Sequence, residues 1–89
     1  MKKVMLVEDE ELILQGLKNI LDWESLGLKV VHMAHDGLEA LKMWEKEPVH
    51  IVVTDISMPD MDGLALLKEI RKREDKVRFI ILTGYDEFD

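Results

Sequence analysis

The feature that most restricts the fold is the run Val49-His50-Ile51-Val52-Val53-Thr54, which does not alternate apolar with polar residues and ends in Asp55. A strand with one face in water alternates; a strand apolar on both faces belongs to a parallel sheet covered by helices on each side. Parallel neighbours cannot be joined by a hairpin, so crossovers must separate the strands, and a helix is the usual crossover. Open α/β sheets place their ligands beyond the carboxyl ends of the strands. Asp55 stands at such an end, with Pro59 and the pair Asp62-Gly63 between it and the next helical pattern.

The rest of the chain supplies the expected parts. Lys2 to Val7 reads as a strand through Val4, Met5, Leu6 and Val7, and runs into Glu8-Asp9-Glu10-Glu11, acids that suit the positive end of a helix dipole. From Glu11 onward Leu12, Ile13, Gly16, Leu17, Ile20 and Leu21 recur at helical spacing and predict one apolar stripe lying on a sheet. Asp22 to Gly27 breaks that period, and Leu28 to Met33 supplies a second apolar, β-branched strand. Asp36, with Glu39 three residues on, has the form of a helix N-cap, and Gly37, Ala40, Leu41 and Trp44 predict the buried face. That helix should end at Glu47, because a residue before Pro avoids the helical region. Val49 to Thr54 is the third strand. Asp62 caps a third helix with Leu66, Leu67 and Ile70 inward, and Val77 to Leu82 is a fourth strand leading to Thr83-Gly84. The order β-α-β-α-β-α-β predicts a doubly wound α/β sheet.

Composition narrows the function classes. A net charge of -7 disfavours non-specific contact with nucleic acid or anionic lipid, so any DNA contact is expected from a segment outside this one. No apolar run approaches the roughly 20 residues of a spanning helix, no membrane association is expected, and Met1-Lys2-Lys3 with its five following apolar residues is not expected to act as a signal peptide. The absence of Cys rules out thiolate metal sites and disulfides and fits a cytoplasmic protein.

If the strands run parallel, Glu8 and Asp9 after the first, Asp55 after the third and Thr83 after the fourth gather on one rim. Carboxylates gathered without Lys or Arg repel one another and either shift their pKa values or recruit a hard cation. Oxygen donors with room for water suit Mg²⁺ better than Zn²⁺. Beside such a cation a carboxylate stays ionised and can attack a phosphoryl group to give an acyl phosphate.

Val7-Glu8-Asp9-Glu10, the segment Asp55-Ile56-Ser57-Met58-Pro59 with Gly63 eight residues after Asp55, and Leu82-Thr83-Gly84 together resemble the receiver domain of bacterial two-component response regulators. Leu21-Asp22-Trp23-Glu24 and Gly84-Tyr85-Asp86-Glu87-Phe88 are similar to the subgroup joined to AraC-type helix-turn-helix output domains. The resemblance spans essentially the whole chain and implies a flavodoxin-like sheet of strand order 2-1-3-4-5. It implies that Asp55 accepts a phosphoryl group from a sensor histidine kinase, that Asp9, Asp55 and the Ser57 backbone carbonyl bind Mg²⁺ directly, and that Glu8, where Asp is commoner, acts through water. It also implies that Thr83 moves to meet the phosphoryl group and that Gly84 keeps access open. The domain is then regulatory, not an enzyme, and reaches DNA only through an output domain.

A complete member continues through a further helix, a fifth strand carrying a phosphoryl-pairing Lys, and a fifth helix. Residues 1–89 hold no counterpart of that helix-strand-helix, so no catalytic Lys is expected in this chain. The missing cover predicts self-association, as a homodimer or swapped oligomer, and the missing Lys predicts weak labelling by small phosphodonors. Two rival readings weigh less. An Asp-nucleophile phosphatase of the haloacid dehalogenase type wants a second Asp where Ser57 stands, and an unphosphorylated dimerisation module would tolerate Asp55→Asn. His32, His35 and His50 lie on separate segments and read as structural or surface groups.

Overall fold

The computed structural model describes residues 1–58 and 60–82. Strands β1 (Lys2–Val7), β2 (Leu28–Ala34), β3 (Ile51–Asp55) and β4 (Arg78–Leu82) form one parallel sheet in the order β2-β1-β3-β4. Helices α1 (Glu11–Ile20), α2 (Gly37–Lys46) and α3 (Gly63–Arg73) make the crossovers, and a short 3-10 turn at Glu24–Leu26 precedes β2. This is the expected doubly wound, flavodoxin-like arrangement. The chain steps from β1 outward to β2, then returns across β1 to β3, so the order reverses between β1 and β3. Their carboxyl ends border the crevice that such a reversal opens.

Because successive residues of a strand face opposite sides, β1 feeds two cores. Met5 and Val7 pack with Val52, Ala34, Ala40, Trp44, Leu66 and Ile70 under α2 and α3, while Val4 and Leu6 pack with Val53 and Leu14 under α1. One tryptophan serves each core. Trp44 is buried beneath the first, its Nε1 without a hydrogen-bond partner among the described residues. Trp23 lies half-buried against the second and donates its Nε1–H to the Lys18 carbonyl at 2.9 Å.

Both expected helix caps are present. Asp36 accepts from the Glu39 N–H at 2.8 Å, and Asp62 accepts from the Ala65 N–H at 2.9 Å, each satisfying a donor that the first helical turn would otherwise leave open. Of the inward faces expected on α2 and α3, Gly37, Ala40, Trp44, Leu66 and Ile70 are buried, and Leu41 and Leu67 are half-buried.

The apolar stripe expected on α1 is corrected. Leu14, absent from that stripe, is the one buried residue of the helix, whereas Leu12 is 86% exposed, Ile20 is 70% exposed, and Ile13, Gly16 and Leu21 also face outward. At 3.6 residues per turn, Leu14 and the expected Leu17 share one side, against the sheet, and Leu12, Ile13, Gly16 and Ile20 share the other, while Leu21 follows the helix in extended backbone. A helix apolar on most of its circumference offers two stripes, and periodicity alone does not choose between them. The strands β3 and β4 also begin later than expected: Val49 and Val77 are buried but precede the paired residues.

Candidate functional site

The register of β1 on β3 sets Val7 against Thr54, so Glu8 and Asp55 leave the sheet side by side. Glu8 is drawn inward because its N–H continues the ladder to β2, donating to the Ala34 carbonyl at 3.0 Å. Its side chain is buried, Asp9 is exposed, and Asp55 is intermediate. One carboxylate oxygen from each of the three lies within 4.8 Å of the others. Among the described residues none of the three forms an ion pair with Lys, Arg or His.

Burial is the main cause that pushes the Glu8 carboxyl up from 4.5 to about 7, opposed by the Glu10 N–H, which donates to Glu8 Oε2 at 3.1 Å, and reinforced by Asp9 and Asp55. A carboxylate deprived of water and set beside two others holds its charge at a cost that a cation removes. The donor set is all oxygen and partly open to solvent, which fits a hard divalent ion such as Mg²⁺ and not a soft one.

Asp55 is seated by its neighbours. The buried Thr54 donates its hydroxyl to the Asp55 carbonyl at 2.9 Å. The Gly63 N–H donates to the Ile56 carbonyl at 3.1 Å, and a Cβ at Gly63 would stand 2.4 Å from the Asp55 carbonyl oxygen, so only glycine lets α3 start this close to the strand end. Ser57 is exposed, and its N–H lies 3.5 Å from Asp55 Oδ1. Thr83 and Gly84, expected to complete the rim, lie outside the described residues.

Two neighbours escaped the sequence reading. His35 Nε2 meets Glu11 Oε1 at 2.6 Å and its Nδ1 meets Glu39 Oε1 at 3.2 Å, which holds His35 above its ordinary pKa. Gly37 touches the segment that follows Asp55. The signal available was the position of His35-Asp36-Gly37, directly beyond the carboxyl end of β2 and therefore on the same rim.

Comparison with known proteins agrees with this geometry. The response regulator receiver domain model matches residues 4–89. The uncharacterized transcriptional regulatory protein YesN of Bacillus subtilis is 46% identical over 90 residues, covering all of this chain and 24% of that protein. The transcriptional regulatory protein HptR of Staphylococcus aureus is 38% identical over 89 residues, covering all of this chain and 34% of that protein. The chain thus spans about a quarter to a third of the length of these curated relatives. Among solved structures, the REC domain of AraT, a response regulator from Geobacillus stearothermophilus, is similar with a TM-score of 0.91 and 40% identity over 98% of this chain and 67% of that one. A two component transcriptional regulator AraC from Clostridium phytofermentans gives 0.90 and 31% over 98% and 67%. The sheet order, the acidic rim and these likenesses agree: the chain belongs to the response regulator receiver domain family of two-component systems.

Proposed function

We propose that this receiver is a phosphoacceptor: a sensor histidine kinase donates a phosphoryl group to Asp55, with Mg²⁺ held by Asp9, Asp55 and the Ser57 backbone carbonyl, and by Glu8 through water. The observation that carries the reading is the convergence of three carboxylates from adjacent parallel strand ends to within 4.8 Å, with no cationic partner among the described residues. In the transfer the P–N bond of the kinase phosphohistidine breaks as a P–O bond to an Asp55 oxygen forms, and the imidazole departs with its electron pair and takes up a proton. Mg²⁺, when bound, screens the phosphoryl oxygens from the surrounding carboxylates. Glu8 and Asp9 set the charge that attracts the cation, and the Gly63 contact fixes the strand end from which the Asp55 nucleophile projects.

The readout in this reading is a population shift at Thr83 and Gly84, passed to a DNA-binding output domain elsewhere in the protein. Two facts support that placement in a cytoplasmic transcription regulator. The relatives are named as transcriptional regulators, and this acidic chain accounts for 24% to 34% of their length. Self-association belongs to the same reading; the exposed Leu12, Ile13 and Ile20 on α1 and Ile80 on β4 support it. Sedimentation equilibrium tests it, and a monomer at high concentration refutes it.

The test of the site is Mg²⁺-dependent labelling of the wild-type protein by a phosphorylated histidine kinase, against Asp55→Asn. Labelling is expected to vanish in the variant and on chelation of the metal. Label that persists in Asp55→Asn places the acceptor elsewhere and defeats the reading.

A further inference from the structure

Three segments leave the carboxyl edge of the sheet around the carboxylates, and each is tied to the next. Glu11, at the start of α1 and two residues after Asp9, meets His35 Nε2 at 2.6 Å. The His35 N–H donates to Glu39 Oε1 in the first turn of α2 at 2.7 Å. The Gly37 N–H, at the first residue of α2, donates to the Met61 carbonyl at 3.0 Å. Met61 immediately precedes the Asp62 cap, and the Gly63 N–H closes back on Ile56, the residue after Asp55. The chain of contacts therefore runs along the acidic rim from beyond Asp9 to beyond Asp55.

Gly37 is the link on which the rest turns. The N–H groups of a first helical turn have no partner inside the helix and are free to bind something outside it. Here that partner is the Met61 carbonyl, and the approach is close enough to exclude every other residue. A Cβ at position 37 would stand 2.2 Å from the Met61 carbonyl oxygen and 2.7 Å from Met61 Cβ. The first obstacle is backbone, which cannot swing aside as the tip of a side chain can. Met61 is itself packed against the core beneath α2 and α3, so the segment is held from below as well as from the side.

We infer that Gly37 is a positioning residue for the acidic site: its N–H, and the space left by its missing side chain, hold the segment after Asp55 against α2, so that cation affinity at Glu8, Asp9 and Asp55 depends on a residue touching none of them. This rests on the metal-site reading above. Displacing Met61 moves the segment that includes Ser57, whose carbonyl is the ligand that reading assigns to the loop. Linkage makes the dependence reciprocal: if the Gly37–Met61 bond favours the cation, the cation strengthens that bond by the same factor.

Isothermal titration with Mg²⁺ tests the inference on wild type, Gly37→Ala, Val77→Ala and Asp55→Asn, each at a temperature where circular dichroism shows it folded. Val77 is buried at the opposite end of the sheet and controls for general loss of stability. Gly37→Ala is expected to weaken Mg²⁺ binding by about tenfold or more, the size seen when a group supporting metal ligands is removed, with Val77→Ala staying within about twofold of wild type. Equal affinity of Gly37→Ala and wild type, or equal weakening by Val77→Ala, overturns the inference. Unaltered binding by Asp55→Asn overturns the metal-site reading instead. Should Gly37→Ala not fold, amide exchange of the wild type decides: the Gly37 N–H is expected to gain several-fold protection on adding Mg²⁺, and unchanged protection overturns the proposal.

Discussion

The two faces of the sheet are covered unequally. On one, α2 and α3 lie side by side and share a continuous core from Ala40 and Trp44 to Leu66 and Ile70, with Arg73 of α3 reaching Glu45 of α2 at 3.1 Å. On the other, among the described residues, α1 is the one helix, anchored by Leu14 above Val4, Leu6 and Val53. Paired helices shield each other's flanks; a single helix on a sheet leaves its flanks in water however apolar they are. The apolar content of a helix thus says how much it could bury, and only its neighbours decide how much it does.

That contrast can be broken most directly at the cores. Ile70→Ala removes a fully buried side chain between α3 and the sheet and is expected to cost about 2–5 kcal/mol in urea unfolding, with all probes lost together. A loss under about 1 kcal/mol would erase the distinction between the faces. Leu14→Ala removes the anchor of α1 and is expected to cost about 2–3 kcal/mol, with faster amide exchange concentrated in Glu11–Ile20. Exchange that rises equally in α3 would show the two cores to be one cooperative unit.

The rim where the faces meet sharpens the comparison through pH. Glu8 has a folded pKa of about 7 against an ordinary 4.5, so its protonated form is the one folding favours. The associated stability is full below pH 4.5 and lost as pH rises through about 7. Mg²⁺ requires the ionised form, and at a hundredfold excess over Kd it is expected to add about 2.7 kcal/mol at pH 8 and clearly less at pH 5.5. Thermal melts with and without Mg²⁺ measure this, and equal shifts at both values would remove Glu8 from the site. On the outer flank of α1, Leu12→Gln is expected to change the stability of the monomer, measured at a dilution where the protein does not associate, by no more than about 0.5 kcal/mol, because Leu12 of a single chain is already in water. The smallest effect belongs to His35, which links α1 to α2 across the rim. Its raised pKa gives a contribution complete below pH 6.5 and lost as pH climbs through the folded value. His35→Gln should lower Tm slightly at pH 6 and by less at pH 9, both partners being exposed.

The gathering of Glu8, Asp9 and Asp55 was readable in the chain because it follows from strand direction. Once Val49 to Thr54 demands a parallel sheet, Glu8, Asp9 and Asp55 must share an edge, and Asp36 and Asp62 announce the helices around them by local chemistry. The docking side of α1 was not readable, since Leu12, Ile13 and Ile20 match the helical period as well as Leu14 and Leu17 do. The ends of β3 and β4 were misjudged because Val49 and Val77 are buried without being paired, and hydrophobicity reports only burial. The Gly37–Met61 contact has no periodic signature; it joins the start of α2 to the loop after β3, which only the finished sheet brings together.

The placement of one indole in each core makes the molecule its own optical gauge. Trp44, enclosed and with no partner for its N–H among the described residues, should emit at short wavelength, while Trp23, half-wet and bonded to a carbonyl, should emit further to the red. Replacing either with Phe leaves a chain whose fluorescence follows a single side of the sheet, so the order in which the sides come apart can be watched without any added dye.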